Sequence, residues 1–396
     1  MAVPKPSSGK GPHDRALNLP NALQIGKVRG IPIRLHWTFL LVLPFFAVLM
    51  GSSYFTPTPG RLDQLDGPAL GWGAALAVTL FACVTLHELS HSLVALRYGI
   101  KVRSITLLPI GGVSQMEEMP KEPRREFLVS LAGPLTNFVL AAPILAWGYL
   151  GGVPDIAPRF GDFVRLVGSL NLVLGAFNLF LPAFPMDGGR ILRAILASKM
   201  GLLKATHYAA SAGRALAFAM AIFGLFSPTG GGFFLLIIAL FIYMGATEEE
   251  RAVQVNHTLG DLRVRDVMTS SPVILRPEDS LEDVFRIMVE SKHVGFPVVD
   301  AMGRVVGFLG LKELAGIDQA RFATTPVRLV MRPQVPTVAP AALATDALRA
   351  MGNDGADYLV VLDHGQLAGL LSKTDLTRVV SILAVRGGGK AEDAAL

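Results

Sequence analysis

The chain has a single cysteine, Cys83, which excludes an intramolecular disulfide and says little about redox compartment. Charge is also scarce: 17% of the 396 residues are Asp, Glu, Lys or Arg against 51% hydrophobic, too apolar a balance for an ordinary soluble enzyme. The net charge of +5 forms no basic stripe, so no nucleic-acid partner is expected. Its Lys and Arg residues gather instead where the edge of a lipid bilayer with anionic headgroups would receive them. Histidine is rare too, eight in all, which gives weight to the one place where two stand close together inside an apolar run.

The apolar residues are unevenly spread. Long, weakly charged runs fill the first 247 residues, and charged residues recur at short intervals from Glu248 onward, which predicts a membrane domain followed by a soluble one. Six runs are long enough to cross a bilayer: Trp37 to Tyr54, Gly71 to Leu96, Phe127 to Leu150, Phe163 to Leu181, Tyr208 to Phe226 and the shorter Gly232 to Thr247. The lead of residues 1–36 is too long and too charged for a cleavable signal peptide and is expected to stay on the mature chain. Six Lys and Arg lie in that lead, a similar number follow span two, and Arg190, Arg193, Lys199 and Lys204 follow span four. The intervening loops carry Arg61, Arg159 and none. By the positive-inside rule both termini are expected in the cytoplasm of a cell (plasma or inner) membrane, with spans two and four running from outside to inside.

Span two contains His87-Glu88-Leu89-Ser90-His91. On a helix the two histidines share a face, roughly 6 Å apart along the axis, from which both imidazoles can reach one metal ion, with Glu88 beside them as a base. A pair of helix-facing histidines satisfied by carbonyl groups is the bland alternative. Ionisable groups cost roughly 2.5 to 3.5 kcal/mol each at the centre of a membrane helix, so three together call for a strong reason to persist. Cys83 shares the helix face, but its Cα is about 12 Å along the axis from that of His91, which favours a packed residue over a ligand. A third ligand has to arrive at the same depth, and the end of span four offers Asp187, within Asn178 to Arg190. Pro182 and Pro185 break the helix there and Gly188 and Gly189 permit close approach. Asp187 could instead cap the amphipathic helix Arg190 to Lys199, but its arrival at the depth of the histidines favours the metal. Of the polar residues nearby, Asn178 is the better site candidate than Asn171, and His36, beside Trp37, reads as an interfacial anchor.

Taken together these segments resemble the site-2 protease family of intramembrane metalloproteases. The likeness covers essentially the whole chain: the Ile25 to Trp37 lead, the HELSH motif, Pro109-Ile-Gly-Gly-Val113, Ala132-Gly-Pro-Leu-Thr-Asn137 and Asn178 to Arg190, in that order. It implies one catalytic zinc ion on His87, His91 and Asp187, and Glu88 as the base that activates water and then protonates the leaving amide nitrogen. Asn137 would be a catalytic amide that stabilises the developing oxyanion, with a helix-to-helix hydrogen bond as its structural alternative. The segment Val102 to Val113 reads as a short membrane-associated β-hairpin whose edge could pair with an unwound substrate.

Beyond residue 262 two similar segments recur about 63 residues apart. Val264-Arg-Asp-Val-Met268 matches Val327-Arg-Leu-Val-Met331, Asp283 to Met288 matches Asp346 to Met351, and Phe296 to Asp300 matches Leu359 to Asp363. The pattern is similar to a tandem cystathionine-β-synthase (CBS) domain pair. That likeness implies an adenine nucleotide (ATP, ADP or AMP) on Gly369, Ser372 and Asp375, and one competent site rather than two, because the first repeat reads Gly307-Phe-Leu-Gly310-Leu-Lys-Glu313. A dimerisation or docking module without ligand is the alternative.

The expected fold is a polytopic α-helical membrane domain of six transmembrane helices plus a C-terminal α/β CBS pair. Its expected divisions are a cytoplasmic segment 1–36, the protease domain 37–247, a linker 248–262, repeats 263–317 and 325–385, and a flexible tail 386–396. The expected function is zinc-dependent cleavage of a membrane-embedded protein, opening to the cytoplasm, with nucleotide control and a homodimer through the CBS domains. The rival is a nucleotide-gated ion or metal transporter, since buried His, Glu and Asp also suit ion pathways.

Overall fold

The computed structural model describes residues 22–108, 111–116, 122–150, 158–227, 232–260 and 262–392. Pro109 and Ile110 of the quoted motif, residues 1–21 of the lead and 393–396 of the expected tail lie outside the described residues. The chain separates into two compact units, one ending at Val253 and the other continuing from Gln254.

Among the described residues six helices are long and apolar enough to cross a membrane. They are α1 (Trp37–Tyr54), α2 (Gly67–Arg97), α3 (Pro123–Tyr149) and α4 (Pro158–Phe180), then, after the short amphipathic α5 (Asp187–Met200), α6 (Leu202–Phe226) and α7 (Gly232–Leu259). All six expected spans are therefore present. The last runs well past its expected end because no Gly or Pro interrupts the chain before Gly260, so most of the stretch expected as a linker is helix. Helix α2 starts where Asp66 accepts a hydrogen bond from the Ala69 amide at 2.6 Å, with Pro68 in the first turn. It lies directly on α1: a Cβ on Gly73 would stand 2.2 Å from the Ala47 carbonyl oxygen.

The expected single hairpin is half of a four-stranded sheet, ordered β1 (Ala22–Val28), β2 (Ile31–His36), β3 (Val102–Leu108), β4 (Gly111–Met116). The lead into span one forms the other hairpin, turning through Arg29 and Gly30, both at positive φ. Strands β2 and β3 run parallel with Ile33 opposite Ile105, and Ile31, Ile105 and Leu107 are buried. His36, at the end of β2, caps α1 through Nδ1, 3.4 Å from the Thr38 amide and 2.6 Å from its hydroxyl.

In the second unit the elements are α8 (Val264–Val267), α9 (Leu281–Ser291), β5 (Gly295–Val299), β6 (Val305–Gly310), α10 (Leu311–Leu314), β7 (Thr337–Val338), α11 (Ala344–Asp354), β8 (Tyr358–Asp363), β9 (Gln366–Ser372) and α12 (Lys373–Glu392). The repeats interlock by exchange: Thr269, after the first Val-Arg-x-Val-Met, pairs with Leu370 of β9, and Arg332, after the second, pairs with Phe308 of β6. Phe308, Val360 and Leu370 fill the seam. The stretch expected as a tail is helical as far as Glu392.

Candidate active site

His87 and His91 stand one turn apart on α2, both buried, with their Nε2 atoms 3.1 Å from each other. Their outward nitrogens are already committed. His87 Nδ1 lies 2.6 Å from Asn137 Oδ1 on α3, and His91 Nδ1 lies 2.6 Å from the Val129 carbonyl oxygen. Both partners only accept, so both Nδ1 atoms carry the proton and both Nε2 atoms present lone pairs. The orientation of the Asn137 amide is itself fixed from α4: Asn171 Nδ2 donates to the Val167 carbonyl at 2.8 Å, so Asn171 Oδ1 faces inward and accepts from Asn137 Nδ2 at 3.1 Å.

Asp187, the first residue of α5, closes the set. The chain turns between Leu181 and Met186, and the two glycines after Asp187 let α5 begin against that turn: a Cβ on Gly188 would meet the Leu181 carbonyl at 2.2 Å. Asp187 Oδ2 ends 3.2 Å from His87 Nε2 and 3.3 Å from His91 Nε2. With Nε2 to Nε2 at 3.1 Å, three buried lone-pair donors form a nearly equilateral triangle. Tetrahedral zinc with ligand bonds of about 2.0–2.1 Å requires neighbouring ligand atoms about 3.3–3.4 Å apart, so the triangle is one face of such a site. The cleft beside it is kept clear by Gly133 of α3, where a Cβ would stand 2.2 Å from His91 Nε2 and 2.6 Å from His87 Nε2. The residues present thus fit a zinc ion, and the capping alternative for Asp187 does not account for an oxygen aimed at two imidazoles.

Glu88 points to strand β4. Its Oε2 accepts from Ser114 Oγ at 2.7 Å, its backbone oxygen accepts from Ser92 Oγ at 2.9 Å, and a Cβ on Gly112 would press on its Cγ at 2.5 Å. Cys83 is buried on α2 outside the metal-capable group. Asn171, not Asn178, is the second asparagine built into the site, a correction to the sequence expectation. Depth along α4 decides it: Asn171 is fully buried against Asn137, while Asn178 is half-buried. Gly133 and Ser114 are not singled out by the sequence, although Gly133 sits inside the Ala132 to Asn137 motif.

In the second unit, Ser372 and Asp375 form a reciprocal cap on α12. Asp375 Oδ2 accepts from the Ser372 amide at 2.9 Å and from its hydroxyl at 2.7 Å. Gly369 in β9 lets Met268 and Thr269 approach, each with an atom 2.7 Å from where its Cβ would be. In the first repeat Glu313 Oε2 accepts from the Gly310 amide at 3.0 Å, the same cap without the hydroxyl.

The M50 peptidase family model matches residues 75–154 and 153–220. A zinc metalloprotease of Methanocaldococcus jannaschii, MJ0392, is 38% identical over 365 residues, covering 92% of this chain and 98% of the relative. This chain belongs to the M50 peptidase family. Another relative, the Mycobacterium tuberculosis protein named putative zinc metalloprotease Rip3, is 33% identical over 91% of this chain and 93% of its own length. The solved site-2 protease from Methanocaldococcus jannaschii is 40% identical, covers 58% of this chain and 95% of that one, and superposes with a TM-score of 0.41. The CBS domain model matches residues 264–318 and 327–382. The chain is therefore a multi-pass membrane zinc metalloprotease of the site-2 type carrying a CBS pair, and the transporter reading has no comparable support.

Proposed function

We propose that His87, His91 and Asp187 hold the catalytic zinc and that Glu88 is the general base and acid for cleavage of a membrane-embedded protein. The observation that carries this is the triangle of Nε2, Nε2 and Oδ2 with 3.1 to 3.3 Å edges. When bound, zinc polarises the scissile carbonyl and makes water nucleophilic at neutral pH. Glu88 takes a proton from the attacking water and delivers it to the leaving amide nitrogen, while the Ser114 hydroxyl holds one of its oxygens in place. Asn137 keeps His87 in the tautomer and orientation that ligation needs, since its oxygen is on His87 and an amide hydrogen is on Asn171, and the oxyanion role expected from sequence would fall to its second amide hydrogen. Strand β4 lies at the edge of the sheet next to Glu88, where an unwound substrate segment could add as a further strand.

The distribution of Lys and Arg supports a cytoplasmic placement of both termini and of the site's opening, so cleavage would release a cytoplasmic fragment. The CBS pair would bind one adenine nucleotide at Gly369, Ser372 and Asp375 and modulate cleavage. Phe285 and Val289, exposed one turn apart on α9, offer an apolar surface for a homodimer. The deciding experiment is Glu88→Gln. It should abolish scission of membrane proteins, read by mass spectrometry of membranes, and leave bound zinc unchanged; residual cleavage at the wild-type rate would refute the role of Glu88.

A further inference from the structure

Arg193, six residues after Asp187 on α5, is buried in the membrane unit with two carboxylates from two other helices. Its Nε lies 2.8 Å from Glu126 Oε1 on α3, its second terminal nitrogen also reaches Glu126, and the remaining one lies 2.7 Å from Glu249 Oε1 on α7. A lone ion pair between helices would need no more than this. Here the guanidinium also covers the ring of Phe184, with its carbon 5.0 Å from the ring centroid, and Phe184 is a fully buried residue of the turn that delivers Asp187. Arg193 thus brackets the ligand turn, bonded in chain behind it and stacked on the residue ahead of it.

The two acidic partners lie on faces that matter to the metal. Glu126 shares one stripe of α3 with Gly133 and Asn137, at spacings of seven and eleven residues, so the helix that clears the metal cleft and orients His87 is the helix Arg193 grips. Glu249 lies one turn beyond Gly245 on α7, and a Cβ on Gly245 would stand 2.6 Å from Pro185 Cδ. The sixth span therefore meets the ligand turn by close packing on Pro185 and reaches α5, which follows that turn, by the ion pair to Arg193.

We propose that Arg193, held between Glu126 and Glu249, is a positioning residue for Asp187, and that the sixth span enters the geometry of the metal site through Glu249. The proposal rests on the assignment of Asp187 as a zinc ligand. Glu250, the next residue, makes its ion pairs to Arg214 and His207 on α6, so it serves as a control for the loss of a paired carboxylate at the same level of α7.

The test uses the full chain in detergent or nanodiscs, with zinc affinity from chelator competition and the visible spectrum of the Co2+-loaded protein. Glu249→Gln and Arg193→Gln should weaken zinc binding about 10- to 100-fold, the range for partners that orient ligands, and alter the cobalt bands. Arg193→Lys, which keeps the charge, should recover part of the loss and guards against a variant that does not fold. Glu250→Gln should keep wild-type affinity and spectrum even if its Tm falls. Wild-type affinity and spectrum in Glu249→Gln, or an equal loss in Glu250→Gln, would overturn the proposal. Asp187→Asn runs alongside: if it binds zinc as tightly as wild type, the ligand assignment is what has failed.

Discussion

His87 Nδ1 and Asn137 Oδ1 are 2.6 Å apart across the α2–α3 contact, and this one bond determines which nitrogen of the imidazole faces Asp187. Removing the amide by Asn137→Ala strands the His87 N–H and the Asn171 oxygen in a dry interior, at about 1–3 kcal/mol for each unsatisfied group. It also frees the ring to turn. Zinc affinity should fall about 10- to 100-fold, as measured by chelator competition. A purely catalytic amide would behave differently, with kcat reduced and zinc affinity kept, so the two measurements together separate the roles.

Gly133→Ala tests the cleft itself. Its methyl would lie 2.2 Å from His91 Nε2 and 2.6 Å from His87 Nε2, closer than any nonbonded carbon can approach, and the flanking α3 backbone is packed against α2. The imidazoles have to move out of the triangle. Metal analysis should show loss of stoichiometric zinc while circular dichroism stays helical. Full zinc occupancy in this variant would mean that the ion sits elsewhere.

Much of this was legible in the chain. Hydrophobic run lengths gave the six spans, because a bilayer demands about 20 apolar residues and no local packing detail can hide that. The HELSH spacing and the broken helix before Asp187 pointed to the three side chains that converge, because helical periodicity and prolines act locally. What stayed hidden depends on pairing at a distance. Residues 22–36 form two strands only because β3 is available to pair with β2, a contact some 70 positions away in sequence. Asn171 and Asn178 are chemically equal in sequence, and only the packing of α4 on α3 turns the former toward Asn137. The extension of α7 was readable in principle from the missing helix breakers before Gly260, but its run of three glutamates resembles the edge of a linker.

Ser114 donates to Glu88 Oε2 at 2.7 Å from the strand that flanks the helix. Ser114→Ala removes that donor without touching a metal ligand, so the carboxylate loses its fixed aim while zinc stays bound. The expectation is a fall in kcat of about tenfold, less than the roughly 100-fold of a 1 Å misplacement because the carboxylate loses one hydrogen bond and not its place, with zinc content unchanged. A variant that loses metal in proportion to activity would show that Ser114 supports the fold rather than the base.

The CBS pair allows an equally direct test. Ser372 and Asp375 already bond to each other as the cap of α12, so the motif has a structural use even without ligand. A nucleotide would have to use the carboxylate oxygen not committed to the cap, and the first repeat, with Gly310 and Glu313, lacks the hydroxyl to do the same. At 100 times the Kd a ligand adds about 2.7 kcal/mol to the unit that binds it, a shift of about 5–10 °C for a unit of this size. Full-length protein titrated with AMP, ADP or ATP should show that shift. Asp375→Asn should lose it while its Tm without nucleotide moves little, because the amide oxygen can still cap the helix, and Glu313→Gln should leave it intact. If none of the three nucleotides moves the melting curve of the wild-type chain, Ser372 and Asp375 are a helix cap and nothing more.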